Sequence, residues 1–202
     1  MSSGTSRFSA DFPVAAGLDD AVLPFAVEPL DLRGRLARLG PALDAILARH
    51  AYPDPVARLL GEAAALTVLL GSALKGEGRF QLQARTDGAV DMVVVDFDAP
   101  DRLRAFARFD AARLPTSGAV SPEALLGRGH LAFTIERGGE ASRYQGVAPI
   151  EGGALEQAAR TYFQQSEQIP TFIRLAAGQV VTPSGASWRA GGLLAQFLPH
   201  SE

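Results

Sequence analysis

The chain has 202 residues, of which 47% are apolar and 20% charged, with a formal net charge of −3. It is long enough for one domain with a real core, too apolar for a disordered chain, and too near neutral to call for a strongly charged partner. It contains no cysteine, which excludes disulfides, cysteine nucleophiles and thiolate metal sites within it; His50, His130 and His200 are its only histidines and lie far apart in sequence.

The opening MSSGTSRFSADFPVAAGLDD has no apolar run long enough for a signal sequence, so residues 1–20 read as a loose tail of a cytoplasmic protein. A short strand is expected around Phe25 to Val27. After it, Leu36, Leu39, Leu43, Ile46 and Leu47 recur at helical spacing and predict one amphipathic helix, with Pro41 suited to a first turn. Asp54 reads as an N-cap, with Pro55 at the first helical position. Val56, Leu59, Leu60, Ala63, Leu66, Leu70 and Leu74 then continue a helix to about Lys75, stopped at Gly76. Few polar residues interrupt this helix, so most of its circumference should be covered. Its most apolar stretch, Ala63 to Leu70, is far short of the roughly 20 residues that span a bilayer.

The period then changes from helical to alternating. Phe80, Leu82 and Ala84 alternate with polar residues, Asp87-Gly88 is a hairpin signal, and strands follow over Val90 to Phe97 and Leu103 to Phe109. Ser121-Pro122 opens a short helix, and strands near Leu131 to Glu136 and Arg143 to Ile150 flank an RGGE tip. Leu155, Ala158, Ala159, Tyr162 and Phe163 mark a helix that ends near Ser166, because Pro170 cannot continue it. Phe172 to Ala176 reads as a strand, GQVVTPSGASWRAGG as a loop or loose hairpin, and GGLLAQFLP as a return to the sheet. The fold class is α+β, a mostly antiparallel meander packed against several helices in a single core domain over 21–199.

No catalytic constellation emerges. Gly185-Ala186-Ser187 lacks the second glycine of a nucleophile elbow and has no obvious base. KGEGRF has its lysine ahead of the glycines and leads into a strand, which is a helix end and turn rather than a phosphate cradle; GRGHL fails the same test. Glu62 interrupts an apolar helix and would make an acid or base if buried, but Arg58 one turn earlier points to an ion pair or a solvent edge. Arg102, Arg104, Arg108 and Arg113, with Phe106 and Phe109 between them, could track a nucleic-acid backbone. The chain is net negative, however, and Arg104 and Arg108 share a strand face where arginines form a solvated row. The histidines show no ligand spacing, and no catalytic, cofactor or metal residue is assigned.

Three phrases carry more information than periodicity: HAYPDPVARLLGEAAALTVLLGSALKGEGRFQLQ, RYQGVAPIEGGALEQAARTYFQQSEQIPT and WRAGGLLAQFLP. In this order they closely resemble the N-terminal domain of the redox-regulated 33 kDa heat-shock protein (33-kDa chaperonin) family, from about Phe25 to Pro199. The resemblance implies an ATP-independent bacterial cytoplasmic holdase that binds unfolding clients under oxidative or heat stress, with no enzymatic activity. It also implies a capacity to dimerise. It further implies a C-terminal linker and a zinc domain with C-x-C and C-x-x-C motifs, absent from this chain, so zinc and the thiol switch map onto no residue here. Within YFQQSEQIPT, Tyr162 and Phe163 are expected to pack inward, while Ser166 and Glu167 engage the end of the helix backbone. Client contacts are expected on apolar sheet or helix faces, at residues the sequence does not identify. Two other readings stay open: a small cytoplasmic hydrolase using Ser187 or Glu62, and an Arg-strand nucleic-acid-binding domain.

Overall fold

The computed structural model describes residues 19–74, 77–115, 120–137 and 143–197. The fold is α+β and every strand pair is antiparallel, but the strands form two sheets with a helix between them, where a single meander was expected. One sheet has four strands in the order β1-β2-β9-β8, formed by β1 (Ala21–Val27), β2 (Leu32–Leu39), β8 (Thr171–Thr182) and β9 (Gly185–Phe197). The other has five, in the order β5-β4-β3-β6-β7. These are β3 (Gly78–Thr86), β4 (Val90–Ala99), β5 (Arg102–Phe109), β6 (Arg128–Arg137) and β7 (Arg143–Glu151).

The long helix, α2 (Asp54–Gly71), touches β2, β8 and β9 on one side and β3, β4 and β5 on the other. This explains why its sequence is apolar almost all round: Leu59, Leu60, Ala63, Leu66 and Leu69 are fully buried. Its one buried hydroxyl, Thr67, donates to the Ala63 carbonyl at 2.8 Å and so leaves no unmet donor. Asp54 and Arg58 are exposed and Glu62 is half-buried, and their four-residue spacing makes them the helix's solvent edge. Asp54 lies inside the first turn, Pro53 occupying the N-cap position, and the helix ends at Gly71 rather than near Lys75. A Cβ at Gly71 would come within 2.6 Å of the Phe97 ring, so the helix ends where it meets β4 closely. Lys75 and Gly76 lie outside the described residues.

Leu36 to Leu39 belong to a strand, which corrects the single amphipathic helix expected there; only α1 (Pro41–Leu47) is helical. Leu32, Leu36 and Leu39 mimic a helical stripe, but pairing decides: Leu36 sits opposite Leu23 of β1 and Leu193 of β9, and a helix would leave β1 without a partner and one edge of β9 open. Residues 19 and 20 are likewise anchored rather than loose. The Asp20 carboxylate accepts from the amides of Gly40 and Ala42 at 2.8 and 3.0 Å, capping α1 from a distance, and Asp19 pairs with Arg38 and Arg189, each at 3.1 Å. The rest of the expected tail lies outside the described residues.

The hairpin at Asp87-Gly88 and the strands on both sides of it are where they were expected, with Phe80 opposite Phe97 and Leu82 opposite Val95. α3 (Pro122–Leu126) and β6 and β7 also match; residues 138–140 of the RGGE tip lie outside the described residues. Of the two readings of GQVVTPSGASWRAGG, loop or loose hairpin, the structure takes the hairpin: it forms the facing arms of β8 and β9, turning at Pro183-Ser184 with Gly185 at φ 130°. Its small and polar residues alternate weakly, and only backbone pairing across twelve positions, such as Gly178 with Arg189, keeps it extended. α4 (Leu155–Tyr162) lies against β7 and β8 and continues as a π-helical turn over Phe163–Glu167.

Candidate functional site

In the four-stranded sheet, odd residues of β2 such as Ala37 and Leu39 and even residues of β9 such as Leu194 point inward, so the opposite parities face outward. The registers assemble the outward side chains into apolar rows. Leu23, Leu36 and Leu193 form one row; Phe25, Gly34, Ala195 and Phe172 form the next; Val27, Leu32 and Phe197 form the third. Phe25, Phe172 and Phe197 remain 37%, 43% and 48% exposed, and both Leu23 and Leu36 are also exposed.

Gly34 is required in the middle row. A Cβ there would overlap the Phe25 ring and the Leu194 carbonyl, so the absent side chain lets the ring lie flat on the sheet. At the β8 edge the Arg174 guanidinium stands 4.8 Å from the Phe172 ring centre and pairs with Glu156 at 3.2 Å. The helices lie on the inward side, as the contacts of α1 with β9 and of α2 with β2, β8 and β9 require. The registers thus gather a contiguous apolar sheet face from all four strands, with a cation at its rim, and exposed apolar patches of this kind commonly mark interaction sites.

The outer face of the five-stranded sheet differs. There Arg104 and Arg108 reach Asp98 and Asp91 at 3.2 and 2.8 Å, Arg79 also holds Asp98 at 2.7 Å, and Gln81 donates to Asp96 at 2.8 Å. Both Asp91 and Asp98 are held below the usual carboxylate range, chiefly by hydrogen bonds from Arg108 and Arg79 respectively. The arginine row is therefore solvated and matched by carboxylates. Arg113 leaves the row to donate to the Asp87 and Gly88 carbonyls, and Phe109 turns inward against Tyr52, leaving Phe106 alone among the arginines. This arrangement gives no support to a nucleic-acid track.

Ser187 lies within β9 rather than on a turn, and its hydroxyl accepts from Arg189 at 3.2 Å. Glu62 stands on the solvent edge of α2. His50 is exposed and packs against the rings of Tyr52 and Phe106, His130 is exposed on β6, and His200 lies outside the described residues. Among the described residues no group of three or more His, Cys, Asp or Glu could hold a metal. With no cysteine in the sequence, the residues present do not fit a thiolate zinc site.

In YFQQSEQIPT, Tyr162 is buried, but Glu167 engages side chains rather than the helix backbone. Its carboxylate accepts from the hydroxyls of Tyr162 and Tyr144 at 2.8 and 3.2 Å, and those two hydroxyls are 2.8 Å apart. Burial, the hydrogen bonds with Tyr144 and Glu167 and the nearby carboxylate hold the Tyr162 hydroxyl far above its ordinary pKa of 10.0. The unfolded chain ionises this phenol from about pH 10 while the folded chain keeps the proton, so its contribution to stability is intact below that pH and is lost above it. Tyr162→Phe is expected to cost about 1 kcal/mol near neutrality and to flatten the alkaline decline in thermal stability. An unchanged alkaline slope in the variant would contradict the assignment.

Sequence reasoning did not find the apolar face. Its signal was present: AVLPFAV and GGLLAQF are apolar at both parities, whereas an antiparallel strand with one wet face should alternate.

The model of the Hsp33 protein family matches residues 20–202. A 33 kDa chaperonin of Caulobacter vibrioides (strain NA1000 / CB15N) is 52% identical over 190 residues, covering 92% of this chain and 63% of the relative. One from Photobacterium profundum is 35% identical over 184 residues, covering 91% and 60%. The crystal structure of the 33 kDa chaperonin from Thermotoga maritima superposes with a TM-score of 0.73 at 21% identity, covering 87% of this chain and 60% of that one. The chain thus spans about three fifths of the length of these relatives. Among the described residues no helix is long and apolar enough to cross a membrane.

Proposed function

The chain belongs to the Hsp33 protein family, and from that premise we propose that it is the client-binding core of an ATP-independent holdase acting in the cytoplasm. Its partners are unfolding polypeptides, and it acts by binding without turnover; neither nucleic acid nor a membrane enters the reading. The family resemblance adds a homodimer.

The observation that carries the proposal is the outward apolar face of the four-stranded sheet, with Phe25, Phe172 and Phe197 from three strands. Unfolding chains expose apolar segments of no fixed sequence, and apolar burial is non-directional, so a face without converging polar groups suits many clients. Burying one Leu- or Phe-sized side chain contributes about 1.5 to 3 kcal/mol, so a client segment covering two or three of these residues gains useful affinity without nucleotide energy. Thiol-based redox control is not routed through any residue here, because the sequence holds no cysteine.

The test is light scattering from a thermally unfolding client mixed with this chain. Suppression at near-stoichiometric ratios, unchanged by ATP, is the expected result. Undiminished aggregation, or protection that requires ATP, would refute the proposal.

A further inference from the structure

A cavity of about 280 Å³ lies between the two sheets at the C-terminal end of α2. Leu70, Phe133 and Leu194 supply apolar wall, and Arg35 and Glu167 are its charged lining groups. It is on the opposite side of the four-stranded sheet from the exposed apolar face, since Arg35 and Leu194 share the inward parity.

Arg35 is half-buried and has no acidic partner within 4.0 Å among the described residues. Burial, and next the neighbouring Arg33, disfavour its charge. A desolvated guanidinium beside a second cation is short of an anion, and its planar fork fits a carboxylate or a phosphate. Glu167 narrows the choice. It is fixed by the two tyrosine hydroxyls and places a negative charge on the same cavity, which disfavours a dianion such as a phosphate monoester. The volume lies just below the range for drug-sized ligands, so the apolar body must be small. Entry is open, because Ala73 and Glu167 at the lining are both exposed.

We propose that this cavity binds a small amphipathic monocarboxylate, its carboxylate on Arg35 and an aliphatic or aromatic body of about ten carbons between the sheets. The site is separate from the client face, so each reading can fail without the other.

Calorimetric titration with decanoate, below its micelle concentration, and with decanol tests it. The chain is expected to bind one decanoate. Arg35→Gln should weaken decanoate roughly 10- to 100-fold, the worth of a charge-assisted hydrogen bond, and leave decanol unchanged. Ala73→Trp, a substitution at an exposed position on the rim, should block both, and it keeps the test open if the Arg35 variant fails to fold. Absence of decanoate binding, or binding that neither substitution alters, would overturn the proposal.

Discussion

Placing aspartate at both Phe25 and Phe172 is expected to leave the fold intact and to raise at least about tenfold the amount of this chain needed to suppress client aggregation. The two rings occupy one cross-strand row on opposite edge strands, each about two fifths exposed, so a polar replacement meets water rather than core. A client covering that row would have to bury two carboxylates, which costs more than the contact returns. Val147→Asp supplies the control, since Val147 is 57% exposed on the outer face of the other sheet and should change nothing. Equal protection by the double variant, with unchanged cooperative unfolding, would remove the four-stranded face from the mechanism.

Leu66→Ala should act on stability instead, by about 3 to 5 kcal/mol, which for a chain of this size lowers Tm by roughly 10 °C or more. Leu66 is fully buried in the helix held between the two sheets, where neighbours on both sides limit collapse into the void. A loss below about 1 kcal/mol in chemical denaturation would mean that the helix is not clamped from both sides.

Alternation made β3 readable, because it buries one face and Phe80, Leu82 and Ala84 recur at every second position; β4, β6 and β7 were legible as apolar runs beside the turn signals at Asp87-Gly88 and the RGGE tip. Alternation failed for β2, whose Leu32, Leu36 and Leu39 fall at helical intervals; in a strand these spacings place Leu39 inward and Leu36 outward, on opposite faces. It failed again in the β8–β9 hairpin, where glycine, serine and threonine carry little pattern and the backbone ladder alone holds the strands. The sequence places Glu167 at the end of its helix, and only the approach of β7 brings Tyr144 within reach of it.

By itself the sequence determined the α+β class, the burial of most of the circumference of α2, the lack of thiol chemistry and the family resemblance, because composition, period and long unusual phrases are properties of contiguous residues. The tertiary structure alone decided that there are two sheets, that Leu36 is a strand residue, and that Leu23, Phe25, Phe172 and Phe197 share one exposed surface. Those residues are separated by as many as 174 positions, and only strand register sets which side chains share a face. Register is fixed by the pairing of distant backbones, and its result is apolar surface gathered on a side that, among the described residues, no helix covers.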